Sequence, residues 1–230
     1  MAGTASKARR PGCSASVRRR SQGATRKAPA IGLYYDAFQL PAGVQFYLSN
    51  ANGRQVVGAY TEANNSADGL FANEAVQGEV VNLELDIAPA VDLRTIKLHV
   101  DKAMVYFRSY EHLNVYRGTT RDPDPYDLEG SSSTCMINSK CPLGVNYPNQ
   151  RKASLQVLVR TAGGDLLGSC SGTMINNTGN TTAACKQYVL TATHCEDNNS
   201  TSNNTFSQFL FRFNFEKAAC TGGAAATVNT

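Results

Sequence analysis

No stretch of the 230-residue chain approaches the run of about 18 apolar residues that a membrane-spanning helix requires. Its seven cysteines include no Cys-x-x-Cys pair, which argues against a zinc ribbon or a thioredoxin-like redox site and for bridges formed outside a reducing compartment. The count is odd, so at least one thiol is left over. Residues 1–30 lack acids and aromatics altogether while carrying eight Lys or Arg. The other 200 residues hold 14 bases against 18 acids, so the net charge of +4 belongs to the arm and the body is mildly acidic. A basic arm with no ring to stack on bases and no apolar face suits neither nucleic acid nor membrane, and the expectation is a disordered tail.

Arg9-Arg10 has the form of a twin-arginine export signal without the apolar stretch that should follow. The Arg- and Ser-rich, acid-free start also has the composition of an organelle transit peptide. The favoured expectation is a misassigned start with a signal peptide upstream, because disulfides call for export; the localisation expected is secreted.

What is present is β-type patterning. Val44–Leu48 is followed by Asn52-Gly53, a strong hairpin-turn dipeptide, with Gln55–Gly58 as the return strand. Val81, Leu83, Leu85 and Ile87 alternate with Asn82, Glu84 and Asp86, the period of a half-buried strand. Ile96, Leu98 and Val100 repeat it, and residues 103–107 supply a further strand. Residues 31–118 therefore read as a small β-sandwich. His99, on a polar strand face, and His112, without Cys or His at ligand spacing, read as non-catalytic surface histidines.

Residues 119–134 concentrate Asp, Pro, Gly and Ser and read as a linker open to proteolysis. Beyond it, strands are expected at 155–159, 166–175, 187–191 and 209–215. In the last, Phe209, Phe211, Phe213 and Phe215 form one aromatic face suited to a barrel interior. Asn64, Asn176, Asn180, Asn198, Asn199 and Asn203 sit in Asn-x-Ser/Thr acceptors, which polar loop composition explains equally well.

The chemistry concentrates in Tyr188–Cys195, a β-rich run ending in Thr-Ala-Thr-His-Cys, with Cys170-Ser171-Gly172-Thr173 twenty residues before His194. Acyl transfer by serine needs an imidazole held within hydrogen-bond reach of the hydroxyl. A cysteine beside that histidine, bridged to a neighbouring strand, would fix it in place. Cys170 and Cys195 suit that role.

These residues resemble the bacterial lysyl endopeptidases, a branch of the chymotrypsin-like peptidases. Residues 133–144, with Cys135 and Cys141 six apart followed by Pro-x-Gly, are similar to that family's mature N-terminus. Residues 168–178 are similar to its Cys-x-Gly-x-Leu-x-Asn-Asn-Thr segment, 190–195 to its histidine motif, and 214–221 to its next cysteine-bearing strand. Residues 38–43 and 57–61 look like its β-rich propeptide.

The resemblance implies an all-β chain: a sandwich-like prodomain (31–118), a linker (119–134), and the first barrel of a chymotrypsin-like double barrel (135–230). It implies His194 as general base, the pairs Cys170–Cys195 and Cys141–Cys220, and cleavage after lysine. Cys135 would join a cysteine of the second barrel, which would itself be an intramolecular partner. Cys185 and Thr193 depart from the family pattern.

No Gly-x-Ser-x-Gly-like segment follows His194, and Asp197 lies too close in sequence to reach round the imidazole. The expectation is thus an N-terminal fragment of a secreted serine endopeptidase, inactive as it stands, with a protein or peptide substrate if completed. The alternative is a non-catalytic secreted β-sandwich binding or chaperone module carrying a degenerate peptidase barrel. No ligand cluster is visible in the spacing, so no metal or cofactor is expected.

Overall fold

The computed structural model describes residues 17–24, 28–106, 137–160, 167–181, 185–195, 206–217 and 219–220. The chain divides into two compact units, Met1–Glu129 and Gly130–Thr230. Both are built mostly of antiparallel β-structure, so the fold class is all-β. Among the described residues no helix is long and apolar enough to cross a membrane. Cys13, His112, Cys135, Asp197, Asn198, Asn199, Asn203 and the linker at 119–134 lie outside the described residues.

The first unit carries two sheets. Strands β1 (Val17–Ala24), β3 (Val44–Asn50), β4 (Val56–Tyr60) and β7 (Val80–Ile87) form one, in the order β1-β7-β3-β4. The other joins β5 (Phe71–Ala72), β2 (Ala30–Gln39) and β6 (Val76–Gln77), with β8 (Lys97–Val105) also paired to β2. Leu33, Tyr35 and Phe38 from one sheet meet Val44, Phe46, Leu48 and Val81 from the other in a shared core. Phe38 stacks on Phe71 with ring centroids 4.0 Å apart and also meets Tyr35 at 5.7 Å. Such ring contacts add to the free energy of simple burial.

Three readings change here. Eight residues assigned to the disordered tail form β1, an edge strand whose register sets Arg18 opposite Asp86 and Arg20 opposite Glu84. The two strands expected at 96–100 and 103–107 are one continuous β8, because irregular pairing with β2 absorbs Asp101 without breaking the strand. The turn at Asn52-Gly53 is longer than a two-residue hairpin: only Gly53 takes positive φ, at 70°, and the return strand starts at Val56.

His99 is exposed, and its Nδ1 lies 2.5 Å from Asp36 Oδ1 across the irregular stretch of the β2–β8 pairing. Hydrogen bonding and charge in this pair raise the His99 pKa, with Asp101 adding to it, and the hydrogen bond to His99 lowers that of Asp36.

In the second unit, α1 (Pro142–Val145) and α2 (Pro148–Ala153) each begin on a proline, whose missing N–H costs nothing in a first turn. Strands β9 (Ser154–Arg160), β10 (Leu167–Ile175), β11 (Tyr188–Leu190) and β12 (Leu210–Phe213) follow, in the sheet order β11-β10-β9-β12. Leu155, Val157 and Val159 form its core with Cys195, and Phe209, Phe211 and Phe213 pack against them. The opposite face of β12 is not solvated as alternation suggests. Arg212 is fully buried, its Nη1 donating to Gln156 Oε1 of the facing strand at 3.2 Å.

Two expectations follow for the first unit. Phe38→Ala should lower its stability by about 3–5 kcal/mol, the cost of emptying a fully buried aromatic site, read as a shifted urea midpoint. For the His99–Asp36 pair, the raised histidine pKa gives stability that is lost as pH rises through it. The lowered aspartate pKa gives stability that is lost as pH falls through it. The difference in Tm between the wild type and His99→Gln should therefore peak between the two pKa values and shrink on both sides; a difference that is flat with pH would show that the pair contributes nothing.

Candidate active site

His194 is placed by its neighbours in four ways. The β10–β11 ladder sets Thr173 opposite Leu190 and Met174 opposite Val189. Just past the ladder, Thr191 Oγ1 donates to the Ser171 carbonyl at 2.8 Å, tying the outgoing chain to the residue after Cys170. Thr193–Cys195 then closes a 3-10 turn in which Cys195 N–H donates to Ala192 O at 3.0 Å. Last, Cys195 is bonded to Cys170 with S–S 2.06 Å and Cα–Cα 6.0 Å. Closing a loop of 25 residues stabilises by roughly 3.5 kcal/mol in the chain-entropy account.

The outcome is a buried sulfur beneath an exposed ring. Cys195 is 7% exposed and packs with Leu155, Val157 and Val159, whereas His194 faces solvent. Gly172 makes the close approach possible: a Cβ there would sit 3.0 Å from Val189 Cγ1 and 3.1 Å from both Leu155 Cδ1 and Val157 Cγ2. The glycine in Cys-Ser-Gly thus lets β10 lie against the side chains of β9 and β11.

The imidazole opens onto a groove of about 790 Å³. Its lining includes Ser169, Cys170 and Ser171, Leu155 and Gln156, and Arg151, Asn214 and Glu216. Asn214 takes the left-handed conformation, φ 56°, directly after β12. Asparagine tolerates it better than most residues.

That bend precedes Glu216, around which an ionic clamp is built. Lys140 Nζ lies 2.7 Å from Glu216 Oε1, Arg151 Nε donates to Oε2 at 3.1 Å, and Ser139 Oγ donates to Oε2 at 2.8 Å. Burial alone would raise the carboxyl's pKa; hydrogen bonds from Arg151, Lys140 and Ser139 outweigh it and hold the pKa at about 2. A second disulfide, Cys141–Cys220, ties the same two segments together across 79 residues.

The site residues named from the sequence thus fall into two groups. Cys170, His194 and Cys195 meet at one corner of the groove, while Cys141 and Cys220 join beside the clamp. Cys185 is a free, exposed cysteine. Sequence reasoning missed the Ser139-Lys140-Arg151-Glu216 cluster, whose members are up to 77 positions apart. It also saw no metal-ligand cluster, yet one potential ligand atom from each of Cys170, His194 and Cys195 lies within 4.8 Å of the others. With its sulfurs bonded to each other, that corner holds an imidazole against a disulfide.

Residues 129–230 match the family model described as lysyl endopeptidase, C-terminal domain. The second unit is lysyl-endopeptidase-like. Comparison with curated proteins and with solved structures gave no match.

The Glu216 clamp carries a pH signature. A carboxylate with a depressed folded pKa contributes stability above its ordinary pKa of 4.5 and loses it as pH falls toward about 2. The wild type should therefore lose stability more steeply across that interval than Glu216→Gln, in urea titrations followed by pH. Parallel curves would mean that the clamp is energetically idle.

Proposed function

We propose that the second unit is the base-bearing part of a secreted serine endopeptidase directed at lysine. In this reading His194 takes the proton from a serine hydroxyl as it attacks the scissile carbonyl, then returns it to the leaving amine. The observation that carries the reading is an exposed imidazole on a clamped turn, opening onto a groove, in a segment matched by the lysyl endopeptidase family model. Lysine preference and export come from that kinship, to which the two disulfides add support.

Among the described residues, none is hydrogen-bonded to the His194 ring. Neither a serine nucleophile nor an orienting carboxylate stands beside it there, so these residues account for proton transfer and not for acylation. No oxyanion hole or lysine-selecting pocket is assigned to them either. The substrate is a polypeptide laid in the groove, with the attacking serine approaching from its open side.

The test supplies what is missing. The full chain is co-refolded with the nucleophile-bearing half of a lysyl endopeptidase and assayed on a lysyl ester. The expected result is turnover that falls by at least about a thousandfold in His194→Ala, the scale of loss when a triad base is removed. Assembly of the two halves without turnover, or turnover indifferent to His194, would overturn the proposal in favour of a non-catalytic module.

A further inference from the structure

The corner that places His194 also holds the atoms of a metal site in another oxidation state. Cys170, His194 and Cys195 each offer one ligand-type atom, all within 4.8 Å of one another. In the disulfide the two sulfurs are bonded at 2.06 Å and lack the thiolate charge that makes cysteine a metal ligand. We propose that reduction of the Cys170–Cys195 bond turns this corner into a Cys₂His site for a thiophilic divalent cation, zinc foremost, and that the bound cation withdraws the His194 ring from proton transfer.

The chemistry balances with a dithiol as reductant. It delivers two electrons and two protons, the Cys170–Cys195 bond becomes two thiols, and the reductant closes its own disulfide. The cation then displaces both thiol protons and shares the lone pair of one His194 ring nitrogen. Thiolate and imidazole together are a donor set that suits zinc, and three protein ligands with an open fourth position are a known zinc arrangement.

The geometry asks for little movement. With Zn–S distances of about 2.3 Å and tetrahedral angles, the sulfurs sit about 3.7 Å apart. Side-chain rotation supplies that separation with the Cα atoms 6.0 Å apart. With Zn–N at about 2.0–2.1 Å the nitrogen would stand about 3.5 Å from each sulfur, a modest contraction from the present cluster.

Opening the bond does not free the backbone. The Thr191 Oγ1 to Ser171 O hydrogen bond and the β10–β11 pairing hold the two segments together without it. Access is one-sided, since His194 is exposed, Cys170 half-buried and Cys195 buried. Exposed Cys185 takes no part in the cluster.

The zinc site does not require His194 to serve a nucleophile; only its effect on proton transfer rests on that reading, and the test reads metal rather than turnover. The full chain is reduced with a dithiol, freed of reductant without oxygen, and titrated with Co²⁺; Zn²⁺ affinity is then measured against a chromophoric chelator. The reduced chain should show sulfur-to-cobalt charge-transfer and tetrahedral d–d bands. It should bind one zinc at least about a hundredfold more tightly than the oxidised chain, because the ligands exist only as thiolates. His194→Ala should weaken zinc by about tenfold or more, Cys185→Ser should leave it unchanged, and His194→Cys should restore binding, which separates ligand loss from misfolding. Absence of thiolate bands in the reduced wild type, or equal zinc affinity in wild type and His194→Ala, would overturn the proposal.

Discussion

The tether between β10 and the turn after β11 is the constraint on which the second unit's chemistry depends. A solvent-facing imidazole on a loop would sample many orientations, and proton transfer rewards a narrow range of them. Here the ring follows directly from a ladder, a side-chain hydrogen bond from Thr191 to Ser171, a 3-10 turn and a covalent bond, all within eight residues of chain. The disulfide is anchored in hydrocarbon, because Cys195 packs with Leu155, Val157 and Val159, and the Met174–Val189 pair of the ladder packs against the same cluster. Moving the ring therefore means disturbing the core, and the position of His194 inherits the stiffness of that core.

The part of the groove lining around Glu216 is held by a different force. Glu216 is half-buried, a place where a lone carboxylate would be penalised, and three donors from residues 139–151 compensate it. The Cys141–Cys220 bond joins the same stretches of chain. His194 is thus held through sulfur and apolar packing, and Glu216 through sulfur and charge.

How much of this was legible in the sequence follows from how local each feature is. Strands β7 and β9 announce themselves because one face is buried and the residues alternate or run apolar. Strand β2 does not: Ala30–Tyr35 is buried continuously because it is paired on both edges and covered, so the period that marks a strand is absent. Strand β1 was hidden because its sequence has no alternating pattern, and its partner β7 lies more than fifty residues away. The histidine motif could be read because ladder, turn and cysteine are neighbours in sequence, whereas Lys140, Arg151 and Glu216 carry no signal until the chain folds them together. Arg212 illustrates the same limit: nothing local in the sequence marks the burial that it reaches against Gln156.

The two described histidines separate the properties that a general base must combine. His99 has a carboxylate on Nδ1, which fixes its tautomer and raises its proton affinity, and it stands exposed on a strand face. His194 has the groove and the rigid mount but no hydrogen-bond partner among the described residues. An exposed pair of this kind is a surface ion pair, whose energy water largely screens. Position without polarisation is the harder half to acquire, since it takes a core, a ladder and a disulfide, whereas an orienting carboxylate can be delivered by a single side chain from another segment. The second unit already holds the harder half, and for that reason a reading as a peptidase component accounts for more of its structure than a reading as an inert β-module.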